Sequence, residues 1–277
     1  MKLCAAVVPL FLAAASIITA GPVNSQRYFR PKNDKNDRAK PKQTSTPVVV
    51  NAASYLPGVS PGGLATIFGQ DLADVTGIVY AGTNPLPTQL AGVSVQVNGV
   101  LAPIYGVALA DDQDQISFQV PYETPVGQGT VQIIVLDEGD QVASIETDSY
   151  TEDPGIFLYN GNYAVAELPD YSVIGPDNPA SPGDTIVMYV TGLGPLTLDL
   201  TDGYGAPSTP PFATTVDPFQ VQVNGEDCNV LFSGLGPGFV GLYQVNFTLP
   251  SDLPAGNLNV QIFSTYSNSG IAVLPVQ

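Results

Sequence analysis

The sequence predicts an all-β protein: two tandem immunoglobulin-like antiparallel β-sandwiches that follow a signal peptide and a disordered basic arm. Three observations support this fold class. From Val48 onward, short β-branched and aromatic runs alternate with Gly, Pro and Asn-Gly turns, and no long stretch has a helical period. The same sequence pattern occurs twice, and each copy has about the size of an immunoglobulin domain. Only Cys228 remains after the N-terminal apolar segment, so apolar burial rather than a disulfide has to stabilise the fold.

The individual strands are predicted from alternation between turn residues. Asn98-Gly99 and Asn224-Gly225 predict tight hairpins, because a type I′ turn needs two residues with positive φ. The spacing of turns favours antiparallel sandwiches over a parallel sheet. The best alternating runs are Ala65–Phe68, Val93–Val97, Gln115–Val120, Val131–Val135, Ile186–Val190, Leu242–Leu249 and Asn259–Phe263.

An internal repeat predicts the number of domains. The pentapeptide VQVNG at Val95–Gly99 recurs at Val221–Gly225. The pattern from Gln115 to Ile133 continues without gaps on Gln244 to Ile262, through matched Gln, Pro and Gly positions. The same order at a nearly constant offset predicts two copies of one unit. The predicted parts of the chain are a signal peptide (1–20), a basic disordered arm or linker (21–47), a first sandwich (48–154) and a second sandwich (155–277).

The N-terminus has the pattern of a secretory signal peptide. Lys2 precedes an apolar run, Ala5–Ile18, and small residues lead to a predicted cleavage after Ala20. The alternative, a retained membrane anchor, is less favoured because the run is short and contains Pro9. We therefore expect a secreted, extracellular or cell-surface protein.

Charge is divided sharply between the arm and the rest of the chain. The segment Gly21–Gln43 contains seven Lys and Arg against two Asp, a net charge of +5. From Gln43 to Gln277 there are 23 acidic residues and no Lys, Arg or His. The arm is too polar to fold alone. It is either a spacer or a segment drawn to the acidic body of its own or a neighbouring subunit, which would allow self-association.

The missing residue types exclude most chemistry. Without His there is no Ser-His-Asp or Cys-His machinery and no His-based zinc site, and without Lys there is no Schiff base in the body. A body with 23 acidic and no basic side chains repels phosphates, so we expect no nucleic-acid partner. Cys228 follows two acidic residues and is interpreted as a small buried side chain rather than a nucleophile. We expect no enzymatic activity; a glycosidase that uses only carboxylates is the remaining catalytic alternative.

Clustered acids give one candidate metal site. Asp111, Asp112 and Asp114 lie in the turn before the strand at Ile116, and calcium prefers such hard oxygen ligands. The alternative is an ordinary solvated turn. Apart from this calcium site, no cofactor is predicted.

Aromatic residues give one candidate binding surface. Tyr204, Phe212 and Phe219 lie on or next to the Pro/Gly-rich segment Gly192–Pro218, where they either line a surface or pin this loop to the sheet. Asn246 begins a glycosylation sequon inside a predicted strand.

Several long motifs resemble a known family. The first unit contains SPGGLATIFGQDLA, LPTQLAGVSVQVNG and ISFQVPYE, and the second contains PASPGDTIVMYVTGLGP and GLGPGFVGLYQVNFTLP. Over Val48–Ser269 the chain resembles the uncharacterised C-terminal module of secreted proteins from Solibacter and other acidobacteria. This resemblance implies tandem Ig-like or IPT/TIG-like sandwiches at the end of extracellular proteins. Because only the short arm precedes the module here, no partner domain's activity carries over.

The function expected from these observations is non-enzymatic. We expect a secreted extracellular or cell-surface module with a structural, adhesive or protein-interaction role, whose partner is an extracellular protein or polysaccharide. The alternative is a glycan-binding accessory module that uses Tyr and Asn on loops.

Overall fold

The computed structural model describes residues 46–127 and 129–277. The predicted signal peptide and all but the last two residues of the predicted arm lie outside this range. The described residues form strands and turns without any helix, and therefore none that could cross a membrane. The prediction of an all-β, immunoglobulin-like sandwich fold is confirmed.

The first sandwich contains nine strands in two sheets. One sheet has the order β1-β2-β7-β6-β3 and the other has the order β5-β4-β8-β9, and all pairings are antiparallel. The strands are β1 (Val48–Asn51), β2 (Leu64–Gly69), β3 (Ile78–Tyr80), β4 (Val93–Val97), β5 (Val100–Ala102), β6 (Ile104–Ala110), β7 (Gln113–Gln119), β8 (Thr130–Asp137) and β9 (Asp140–Asp148).

The second sandwich contains ten strands, nine of which lie on one continuous hydrogen-bonded path. The order is β10-β14-β17-β16-β15-β18-β19-β12-β11, and β13 also pairs with β14. The path passes between layers at β16, whose start pairs with β15 and whose remainder pairs with β17. The strands are β10 (Gly155–Ile156), β11 (Leu158–Tyr159), β12 (Tyr163–Ala164), β13 (Ala166–Glu167), β14 (Thr185–Thr191), β15 (Gln220–Val223), β16 (Glu226–Leu235), β17 (Tyr243–Thr248), β18 (Gly256–Phe263) and β19 (Ala272–Val276).

Each sandwich has its own apolar core between its layers. The inward residues alternate along the strands, as a half-buried sheet requires. The first core is centred on side chains such as Ile67, Phe118 and Ile133, which are fully buried. The second is centred on Met188 and Phe247, also fully buried.

Matching irregularities recur in the two sandwiches. The β6–β7 pairing carries a bulge at Tyr105, and the β16–β17 pairing carries one at Leu231. The two predicted Asn-Gly turns have positive φ at both residues, with 49° at Asn98 and 55° at Asn224, so these turn predictions are confirmed. We propose on this basis that the sandwiches are copies of one unit; the boundary near residue 154 stays a prediction.

Candidate functional site

A third apolar cluster lies where the two sandwiches meet. Ala53 and Leu64 from the first sandwich pack with Phe157, Tyr189 and Leu242 from the second, and all five are buried. The largest side chains of this cluster are the aromatic ones, Phe157 and Tyr189, and aromatic side chains bury about 150–250 Å² each. The sandwiches are therefore held together by an apolar contact as well as by the chain between them.

Hydrogen bonds cross the same junction. The Leu64 N–H donates to Thr191 Oγ1 (2.8 Å), and the Thr191 hydroxyl donates to the Gly241 carbonyl (2.9 Å). The hydroxyl of the bulge residue Tyr105 donates to the Val240 carbonyl (2.7 Å). Because most of these groups are buried, losing one partner would leave the other unpaired at a cost of about 1–3 kcal/mol.

The segment that joins the sandwiches is fixed from both sides. Asn51 Nδ2 donates to the Asp153 carbonyl (2.7 Å) and to its carboxylate (3.1 Å), while the Asp153 N–H donates to the Gly192 carbonyl (2.8 Å). Burial raises the pKa of Asp153, and the Asn51 hydrogen bond opposes this shift. Gly192 has φ +76°, and a Cβ there would overlap the Asp153 carbonyl. Only glycine permits this approach.

The long segment after β14 also contacts the first sandwich. The Gly203 N–H donates to Gln119 Oε1 (2.7 Å), and the Gly205 N–H donates to Asn84 Oδ1 (3.1 Å). Asp202 accepts a hydrogen bond from the Tyr122 N–H (3.0 Å). This segment therefore extends the junction well beyond the apolar cluster.

A cleft of about 360 Å³ lies at this junction. Its volume falls within the range of about 300–1,000 Å³ that is typical of ligand pockets, which often form between domains. Its lining from the first sandwich is Pro61, Tyr122, Thr124, Val126 and Thr151, and its lining from the second is Gly194, Pro195, Leu196, Leu198, Asp199 and Leu200.

The second wall has an apolar face. Leu196, Leu198 and Leu200 alternate with the exposed residues Thr197 and Asp199. The three leucines are half-buried, pack against the second core and also line the cleft.

Unpartnered polar atoms concentrate in the end of the first sandwich that forms the cleft. Of the side chains in the described residues, the buried atoms without a hydrogen bond are Gln119 Nε2, Tyr122 Oη, Thr124 Oγ1, Ser149 Oγ and both carboxylate oxygens of Glu152. Buried polar atoms are usually paired, so this concentration is unusual. It marks the cleft and its surroundings as the best candidate site in the molecule.

Two carboxyl groups near the cleft have raised pKa values. Burial raises the pKa of Asp202 to about 6; the Tyr122 N–H opposes this, and the neighbouring Glu123 carboxylate adds to it. Burial also raises the pKa of Glu152, which the Ser264 hydroxyl opposes and the Asp217 carboxylate reinforces. No basic side chain from Gln43 onward offsets either shift. Both sites therefore disfavour the ionised form relative to a carboxylate in water.

The predicted calcium ligands are not gathered into one set. Asp111 and Asp112 form the two-residue β6–β7 turn, with φ of 51° and 60°. Asp114 is buried, and its Oδ2 accepts a hydrogen bond from the Leu72 N–H (2.8 Å). Within the described range, no group of three Asp, Glu, Cys or His side chains is placed to hold a metal. Calcium binding here stays a prediction; an unchanged Tm between excess calcium and chelator would rule it out.

The predicted aromatic surface is divided among three environments. Phe219 is buried in the second core, and Phe212 packs edge-on against Phe232 with ring centroids 6.4 Å apart. Tyr204 is 52% exposed. Two of the three aromatic side chains therefore have packing partners, and their role in binding stays a prediction.

The structure also places Cys228 and the sequon residue Asn246. Cys228 is a free, buried thiol in the second core, and burial raises its pKa to about 11. Asn246 is half-buried on β17, where Oδ1 accepts from Gln244 Nε2 (2.9 Å). Its glycosylation stays a prediction.

The residues of the cleft were missed in the sequence. Tyr122 and Thr124 of the first sandwich meet Leu198 and Asp199 of the second only after the two sandwiches dock. One signal was visible beforehand: the alternation Leu-Thr-Leu-Asp-Leu at Leu196–Leu200 inside a Gly/Pro-rich segment. Such a run is typical of an extended segment with one apolar face.

No protein-family model and no curated protein sequence matches the chain. Solved structures do match. One is the SGBP-B protein of the Bacteroides ovatus mixed-linkage glucan utilization locus, in complex with a mixed-linkage heptasaccharide (13% identity, TM-score 0.30). This match covers 79% of the present chain and 43% of the SGBP-B chain, so the chain spans less than half the length of that structure.

Two further matches are a titin tandem of Ig domains and the surface-layer protein SbsC. The titin tandem is 13% identical with a TM-score of 0.18, and the match covers 84% of the present chain and 97% of titin's. SbsC is 12% identical with a TM-score of 0.23, and its match covers 84% and 31% of the two chains. At these identities the likeness concerns the fold alone.

Proposed function

We propose that this protein is a secreted, non-enzymatic extracellular or cell-surface module with a structural, adhesive or protein-interaction role. The supporting observation is the junction, where an apolar cluster and several hydrogen bonds fasten one sandwich to the other. Fastened sandwiches keep binding surfaces at a fixed spacing, which reduces the ordering cost of attachment to a partner. An extracellular protein or polysaccharide is the partner class.

The side chains available support a role without catalysis. A glycosidase needs two carboxyl groups separated by about 5–10 Å across the scissile bond. Next to the cleft, Asp202 and Glu123 lie close enough for the Glu123 carboxylate to raise the pKa of Asp202. Two carboxyl groups in such close contact do not match the separation that a glycosidase uses.

A glycan-binding accessory module is the second candidate, and one observation favours it. The cleft places the Tyr122 ring beside Thr124, Thr151 and the exposed Asp199. An aromatic face with hydroxyl and carboxylate groups is suited to the apolar and polar sides of a sugar. The half-buried leucines of the other wall favour a less polar ligand.

Binding to extracellular material from the producing cells tests the main proposal and the alternative together. We expect the full chain to be retained on isolated surface material, and protease treatment of that material to abolish retention where the partner is a protein. Retention that survives protease and disappears after periodate oxidation would favour glycan binding instead. Thr151→Val should then weaken binding, whereas Thr130→Val, at an exposed position on β8, should not.

The non-enzymatic part needs a separate measurement. The material should be recovered unchanged after prolonged incubation with the protein. Release of reducing sugars or peptides, lost in a variant with Asp202→Asn and Glu123→Gln, would overturn the proposal.

A further inference from the structure

The cleft leaves apolar surface uncovered in a strongly acidic body. Its leucine wall is half-buried, and its opposite wall adds Pro61, Val126 and the ring of Tyr122. A partly apolar cleft between two domains is a common place for a ligand or a peptide segment to bind. Its occupant should therefore present an apolar or aromatic side chain.

The charges around the cleft restrict that occupant further. Asp199 lines the cleft, and the Asp202–Glu123 pair adjoins it through Tyr122. No Lys, Arg or His follows Lys42 to balance these carboxylates. An anionic ligand would be repelled, whereas a cationic one would be attracted. The cleft is thus suited to an aromatic segment flanked by basic residues.

The chain contains one such segment. Residues 27–32 read Arg-Tyr-Phe-Arg-Pro-Lys, and this is the only place where aromatic and basic residues adjoin. The segment lies outside the described residues. Its aromatic residues match the apolar wall of the cleft, and its arginines match the nearby carboxylates, because arginine pairs well with carboxylates.

The distance along the chain allows the segment to reach the cleft. β1 covers roughly 10 Å from Val48 to Asn51, where Asn51 is hydrogen-bonded to Asp153, two residues from the cleft residue Thr151. The cleft therefore begins within about 25 Å of Val48. The nineteen residues from Phe29 to Val48 span up to about 60 Å when extended.

We propose that the chain's own segment Arg27–Lys32 docks in the junction cleft. Tyr28 and Phe29 contact the leucine wall, and the flanking arginines face the carboxylates of Asp199 and Asp202. Docking within one chain is favoured over docking between chains because the short connection gives a high effective concentration. This docking does not depend on the adhesive role proposed above.

A single tryptophan tests the proposal directly, because the natural chain has none. In the full mature chain, Phe29→Trp should give blue-shifted emission and protection from a soluble quencher. Leu198→Asp in the same chain should lower the ratio of docked to free segment by about tenfold or more, since it puts a charge into the apolar contact. High salt should weaken protection by screening the arginines.

Two controls separate docking from a general loss of structure. Leu231→Asp changes a leucine that is 55% exposed, at the β16 bulge and outside the cleft lining, and should leave the emission unchanged. Val126→Asp alters the opposite wall and should reproduce the effect of Leu198→Asp at an unchanged Tm. Emission typical of a fully exposed tryptophan in the Phe29→Trp chain would overturn the proposal. Equal emission of this chain with and without the cleft substitutions would also overturn it.

Protein concentration distinguishes the two origins of the docked segment. Protection should be independent of concentration, and sedimentation should report a monomer. Protection that appears only with increasing concentration would mean that a second copy supplies the segment, and would overturn docking within the chain.

Discussion

Glu152 shows how a body without basic side chains treats a buried carboxyl group. It is 3% exposed, and neither carboxylate oxygen has a hydrogen bond. A buried carboxylate normally depends on Arg or Lys, because burying an uncompensated charge costs several kcal/mol. Here no such residue follows Lys42, and the neighbouring group that favours the ionised form is the Ser264 hydroxyl. Burial without a basic partner therefore raises the pKa of Glu152.

Glu152→Gln should stabilise the protein near neutral pH. Glutamine keeps the shape, removes the buried charge and can donate to the Asp217 carboxylate, so the free energy of unfolding should rise by about 1 kcal/mol. The gain should shrink on acidification as the natural glutamate takes up its proton. Urea unfolding at two pH values measures this, with the exposed Glu146→Gln as the control. A variant less stable than the parent at neutral pH would mean that the carboxylate has a favourable partner.

Asp202 should make stability depend on pH in an unusual direction. Its folded pKa of about 6 exceeds the unfolded value of about 3.9, so the folded state binds more protons between these values. Its contribution is fully present below about pH 4 and is lost as the pH rises through 6. Tm should therefore fall over this window by more in the parent chain than in Asp202→Asn, with the exposed Asp252→Asn as the control. Parallel Tm profiles for all three proteins would contradict this assignment.

At the scale of secondary-structure elements, the loops hold the sandwiches together more than the strands do. β14 contributes Tyr189 and Thr191 to the junction, but the tightest approach comes just after it, at Gly192. The chain there turns with positive φ directly against the Asp153 carbonyl. A loop glycine thus sets how closely the second sandwich approaches the joining segment.

Gly192→Ala should lower the free energy of unfolding by more than its positive φ alone would predict. Gly77 has the same φ of +76°, but a Cβ there would meet nothing within 4 Å. Gly77→Ala should therefore cost only the left-handed conformation, about 1–2 kcal/mol. Gly192→Ala adds the overlap with Asp153 and should cost at least about 2 kcal/mol more. Chemical denaturation of the two variants gives the comparison, and equal losses would show that the junction relaxes without cost.

The strands could be predicted from the sequence, whereas the cleft could not. Alternation along a strand is a local pattern. The repeated pentapeptide VQVNG predicted equivalent turns in both units, and the Asn and Gly of both copies have positive φ. The calcium and aromatic predictions relied on sequence neighbours, yet Asp114 is engaged by Leu72 and Phe219 points into a core. A site made by two sandwiches depends on how they dock, and one sequence contains no local signal for that.

At the scale of the whole molecule, repulsion among the acidic side chains opposes folding, whereas apolar contacts in the two cores and the junction cluster favour it. The body carries 23 acidic residues, and their mutual repulsion opposes compactness. The two cores and the junction cluster are apolar and lack any ion pair that salt could weaken, because the described residues contain no cation. Added salt should therefore screen repulsion without removing an attraction within residues 46–277.

The two sandwiches should unfold together in a single transition. Unfolding either one would expose the junction cluster of the other and break the hydrogen bonds that Leu64, Tyr105 and Asn51 make across the junction. In calorimetry of the full chain, we expect one peak whose calorimetric and van't Hoff enthalpies agree. Gly192→Ala, which disturbs the junction, should broaden or split that peak, whereas Gly77→Ala should shift it without changing its shape. Two resolved peaks in the parent chain would mean that the junction is too weak to couple the sandwiches, and the fixed spacing on which the adhesive role rests would be lost.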